Sequence, residues 1–180
     1  MDVIFDKRLR PTFMKKYHIL VLVIGLLAMV ACKDEEIDPA ALTGKSVTYS
    51  LFTGAQDWGY QGDATLAERN DGNTLLTIEL TGPSGTTQFP AHLHYGAYSL
   101  EADMAAMLTP VDAATGKSET LLTQLANGDE ISYDELINFD GHIKVHLGDG
   151  DNKSVILAYG NIGSNPATAN AANVANCASW

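Results

Sequence analysis

Cysteine is nearly absent from this chain of 180 residues: Cys32 and Cys177 are the only two. Two thiols so placed cannot supply a disulfide framework, and any core has to rest on hydrophobic packing. Arginine stops at Arg69, so the remaining chain offers no guanidinium to hold an anion. No Gly-x-Ser-x-Gly elbow marks a hydrolase nucleophile, and no Gly-x-x-x-x-Gly-Lys loop marks a phosphate site. Long apolar runs are also missing. Ile19–Val30 is unbroken except for Gly25, and the uncharged stretch Tyr17–Ala31 is 15 residues long. A spanning helix wants about 20.

That run belongs instead to an export signal. Met14 opens it, Lys15 and Lys16 supply the positive charge, and Ala31 stands immediately before Cys32. Ala31-Cys32 resembles the lipobox of bacterial lipoproteins, with Met29 where that pattern usually has leucine. The resemblance implies cleavage before Cys32, lipidation of its thiol and attachment to a membrane. Lys33-Asp34-Glu35-Glu36 looks like the acidic surface-export signal of one group of Gram-negative bacteria, or else a solvated linker. The expected location is the outer membrane or the cell surface. Residues 1–13 precede a complete signal and read as an extension upstream of the true start at Met14.

The expected organisation is therefore signal 14–31, acidic tether 32–42, one folded domain 43–165 and an Asn/Ala-rich disordered tail 166–180. The whole chain carries 22 acidic and 11 basic residues; residues 1–32 hold two acids and five bases, which leaves 20 and six, a net charge of −14. Such a surface repels phosphate and excludes nucleic acid as a partner. With Cys32 lipidated, Cys177 is the sole remaining thiol.

The domain reads as β. Val47, Tyr49 and Leu51 alternate in Ser46–Phe52, and Leu76, Ile78 and Leu80 in Thr74–Leu80. Asn70-Asp71-Gly72-Asn73 separates Asp63–Glu68 from Thr74–Leu80 and predicts a hairpin, with positive φ tolerated at both Asp71 and Gly72. Phe89–Ser99 and Val155–Tyr159 are further strand candidates. Glu101–Leu108 is ambiguous: its Ala, Met and Glu favour helix, while its neighbours favour strand. Ser132-Tyr133-Asp134-Glu135 has capping-box spacing and predicts a short helix to about Phe139. Gly148–Asn152 reads as a turn; Asp149, Asp151 and Asn152 are candidate calcium ligands that lack the rest of an EF-hand loop. Short, evenly spaced strands predict an all-β fold, an antiparallel Ig-like, Greek-key β-sandwich with one short helix near 132–139.

Four histidines fall in this domain, as His92-Leu93-His94 and His142-Ile143-Lys144-Val145-His146. Side chains two apart share a strand face, about 7 Å apart along the backbone. His92 and His94 therefore point together, opposite Leu93; His142, Lys144 and His146 point together, opposite Ile143 and Val145. All four rings fall on the non-core face, where surface exposure is expected. Neutral imidazoles so arranged suit copper or zinc. His142 and His146 are about 13 Å apart if extended, so one of them at most joins His92 and His94. Lys144 between them weighs against a cation, and the competing reading is a row of hydrogen-bonded, metal-free histidines.

The blocks Phe89–Gly96, Leu108–Asp112, Phe139–Leu147 and Ala158–Gly163 together resemble, in order and spacing, the chordin-type (CHRD) domain. The resemblance spans Tyr60–Gly163. It implies a β-sandwich of secreted proteins with no established activity in bacteria, whose repeated histidines correspond to His92, His94 and His146. Positions 142 and 144 are usually tyrosine and asparagine there, so His142 is the weakest ligand candidate. A more distant similarity links the domain to copper/zinc superoxide dismutases, which carry His-x-His on a barrel exterior. Against that activity, Ser99–Leu121 contains no histidine for a bridging ligand or zinc site. Three functions follow: a lipid-anchored, non-enzymatic binding or interaction module for an unknown protein or small ligand; a copper-dependent redox enzyme of the dismutase kind; and a purely structural envelope lipoprotein.

Overall fold

The structure is a computed structural model, and it describes residues 38, 41–54, 57–165 and 174–175. Residues 1–37 with the expected signal and Cys32, most of the expected tether, and residues 166–180 except Val174 and Ala175 lie outside the described residues, as does Cys177.

Eight strands follow in order: β1 (Leu42–Thr53), β2 (Gln61–Arg69), β3 (Thr74–Thr81), β4 (Gln88–Tyr95), β5 (Met104–Asp112), β6 (Lys117–Leu122), β7 (Asp140–His146) and β8 (Ile156–Gly163). The helix α1 (Tyr133–Leu136) precedes β7, and a 3-10 turn (Gly150–Ser154) precedes β8. All strand pairings are antiparallel, and the ring order is β1-β2-β3-β6-β5-β4-β7-β8. The fold is all-β, as the alternation predicts. The sheet closes into a barrel, where two separate sheets were expected. Closure removes the free edges that a sandwich has to protect. Strands β4, β5 and β6 follow one another as antiparallel neighbours and run in reverse order between β3 and β7, so that β6 lies beside β3 and β7 returns beside β4, the Greek-key arrangement.

The alternating residues line the interior. Leu66 pairs with Leu76 and Ala64 with Ile78 across β2 and β3. They are fully buried together with Leu93, Ile143, Val145 and Leu157. The predicted β2–β3 hairpin forms, with Gly72 at positive φ (+82°) and Asp71 at negative φ. The Asp71 carboxylate accepts from the Asn73 N–H at 3.0 Å and holds the turn from the side.

The structure settles one ambiguous element and corrects two others. Glu101–Leu108 contributes strand, not helix: Ala105, Ala106, Leu108 and Val111 of β5 are buried against β4, and that packing outweighs local helix propensity. β4 stops at Tyr95, not Ser99, because Gly96 turns the chain at φ +67°. The helix has its capping box, Ser132 N–H donating to Glu135 Oε2 at 2.9 Å, yet spans only Tyr133–Leu136. Its apolar anchors, Tyr133 and Leu136, are already buried within that one turn.

Candidate metal centre

The histidines sit where β4 and β7 run side by side. Their register pairs His92 with Lys144, Leu93 with Ile143 and His94 with His142. Leu93, Ile143 and Val145 point into the barrel and are fully buried. The histidines and Lys144 therefore lie on the outer side of the wall, as strand parity requires. They are nevertheless not surface residues. His92 is 2 % exposed, and His94, His142, Lys144 and His146 are all at 0 %.

A second, smaller apolar cluster accounts for this. Tyr98, from the loop between β4 and β5, packs on Tyr159 of β8 with ring centroids 4.6 Å apart. Ile156, Phe52 and Val174 join them. In the β7–β8 ladder Tyr159 pairs with Lys144, Ile156 with His146 and Asn161 with His142, which sets the cluster beside the histidine row. Asn161 Oδ1 accepts from the Tyr98 N–H at 3.0 Å and pins the loop. Ala175 ties in the chain beyond the barrel: its carbonyl accepts from Lys144 Nζ at 2.6 Å and its N–H donates to the Tyr98 carbonyl. One sequence signal did point to a covered outer face. Val155-Ile156-Leu157-Ala158-Tyr159 does not alternate, and unbroken apolar strands are buried on both sides.

His92, His94 and His146 each offer a ring nitrogen, and these nitrogens lie within 4.8 Å of one another. The His92 ring meets His94 edge-on at 5.8 Å and His146 at 5.1 Å between centroids. His142 stands outside this triad and stacks on His94 at 5.1 Å with 12° between ring planes. Backbone carbonyls orient the rings. His94 Nδ1 faces the Ala102 carbonyl at 3.3 Å, His142 Nδ1 that of Gly96 at 2.8 Å and His146 Nδ1 that of Lys153 at 2.7 Å. A carbonyl only accepts, so a neutral ring carries its proton on Nδ1 and directs the Nε2 lone pair elsewhere, the arrangement that a metal ligand needs. His142 Nε2 is buried without a hydrogen-bond partner.

Burial keeps the rings neutral. It pushes His94 down to about 3, helped by the charges of His142, Lys144 and His92 and opposed by the Ala102 carbonyl. Burial likewise lowers His142 to about 4 and His146 to about 4. It lowers His92 too, with Asp149 pulling the other way. Tetrahedral zinc, with bonds of about 2.0–2.1 Å, wants donors about 3.4 Å apart. From nitrogens within 4.8 Å of one another, reaching that spacing takes a contraction on the order of 1 Å. No other group of three potential ligands is found among the described residues. Asp149–Asn152 instead starts the 3-10 turn, with Asn152 N–H donating to the Asp149 carbonyl.

No family model, no curated protein and no solved structure matches the chain.

Proposed function

We propose that this chain is an exported, lipid-anchored domain that binds one copper or zinc ion through His92, His94 and His146. The observation that carries the reading is the triad itself: three buried, neutral imidazoles with nitrogens within 4.8 Å, two of them aimed by backbone carbonyls. A hydrogen-bonded polar row with no further role does not require three nitrogens to converge. The reading is of a binding module with a membrane anchor at Cys32, at the outer membrane or cell surface. Its biological partner, a protein or a small ligand, is a separate matter from the ion. The CHRD resemblance and the motif before Cys32 support the export and anchoring part. The sandwich description is favoured by two thin seams in the ring: β5 and β6 share one residue pair, and β1 and β8 share two. These divide the eight strands into two four-stranded faces.

A dismutase-like redox activity is the weaker alternative. Ser99–Leu121 brings no histidine to the site, and no arginine follows Arg69. Titration of the full chain with copper and with zinc, beside a His92→Ala/His94→Ala variant, tests the centre. Submicromolar binding lost in the variant is expected; equal binding, or none in either, refutes it. Anchoring is tested through Cys32→Ser, which should leave an uncleaved precursor that takes no labelled palmitate.

A further inference from the structure

Sulfur borders the histidine triad. Of five methionines, Met1, Met14 and Met29 precede the barrel, so Met104 and Met107 are the only two from residue 41 onward. Both lie on β5, and each is the cross-strand partner of one histidine of the His-x-His pair: Met107 opposite His92, Met104 opposite His94. Residues three apart on a regular strand face opposite ways. Here the register shifts between Leu93, paired with Ala106, and His94, paired with Met104, which leaves Ala105 as an extra residue. That bulge brings both methionines onto the face of the histidines. Antiparallel partners have Cα atoms about 4.5–5.5 Å apart, and the three rotatable bonds of methionine let its sulfur span such a gap. Met107 is 67 % exposed, whereas its partner His92 is covered.

We propose that the centre binds its ion as Cu(I), with the thioethers of Met104 and Met107 acting beside the imidazoles. The proposal rests on the metal-centre reading and names the ion it takes. Thioether sulfur is a soft ligand that favours Cu(I), while zinc is held by imidazole, thiolate or carboxylate. Charge points the same way. The triad contains no carboxylate, and buried Lys144 lies directly across from His92. At equal distance an ammonium repels a monovalent ion half as strongly as a divalent one. The cost of burying an ion rises as the square of its charge, so a neutral imidazole and thioether set suits charge +1.

The test uses the full chain in detergent, carrying Cys32→Ser and Cys177→Ser so that no thiolate competes. Cu(I) is presented anaerobically from a chromogenic chelator, and Zn(II) in a parallel titration. The parent is expected to take one Cu(I), with sulfur scatterers in its copper X-ray absorption spectrum. Met104→Leu/Met107→Leu conserves volume, and circular dichroism checks its fold. It should bind Cu(I) at least tenfold more weakly, lose the sulfur shell and hold zinc as the parent does. Equal Cu(I) affinity in parent and variant, with nitrogen scatterers alone, overturns the proposal and leaves the histidine centre standing. A parent that binds neither ion overturns both.

Discussion

Lowering the pH of the chelator-treated protein should destabilise it well before its carboxylates protonate. In the unfolded chain a histidine titrates near 6.5; in the barrel His94 is held at about 3 and His142 and His146 at about 4, chiefly by burial. Between these values the unfolded state binds protons that the folded state refuses. The stability each ring contributes is thus fully present above about pH 6.5 and is lost as pH falls toward the folded pKa. The slope is at most about 1.4 kcal/mol per pH unit per ring. From pH 6.5 to 4.5 each of the three loses about 2 kcal/mol, on the order of 6 kcal/mol together, against the total of about 5–15 kcal/mol usual for a domain. Carboxylates held low, such as Asp112 by the Ala114 N–H, give way only below that window. Urea unfolding at half-unit steps from pH 7.5 to 4.5 reads the effect directly. A midpoint that is flat between pH 6.5 and 5 would refute the argument, because it would mean that the rings reach water and titrate as free imidazoles.

Other perturbations probe the wall and the site. Leu93→Ala, fully buried between the two flanking histidines, should cost about 3–5 kcal/mol in urea unfolding; a loss under 1 kcal/mol would mean that the interior is not packed there. Gly141→Ala should sharply lower the melting temperature, since a Cβ would meet the Phe139 ring and lie 2.7 Å from the His94 carbonyl oxygen, forcing β4 and β7 apart. His146→Ala should reduce metal affinity at least a hundredfold and His142→Ala only a few-fold, as measured by chelator competition; the reverse order would place the ion elsewhere. Ser132→Ala removes one half of the capping box and should cost about 1 kcal/mol.

Where one strand face meets the core, the sequence was legible. Leu76, Ile78 and Leu80 alternate, and they line the interior; Leu93, Ile143 and Val145 do likewise, which placed the histidines on the opposite side. Ser132 and Glu135 form the expected capping box because it is a local, four-residue interaction. Contacts distant in sequence were not legible. Tyr98, Tyr159 and Val174 come together only in the folded chain, and with them the histidines pass from exposed to buried. The ring closes through pairs such as Phe52 with Tyr159, which no local pattern announces. Met104 and Met107 lie in a segment whose composition favours helix while its neighbours favour strand, and pairing with β4 settles it as strand.

The most direct measurement of the central claim is an anomalous-difference map from crystals grown with copper or with zinc, with data collected at each metal's absorption edge. The account predicts one strong peak about 2 Å from a ring nitrogen of each of His92, His94 and His146. A map without a peak there, or with its strongest peak at the exposed acidic groups, would contradict it.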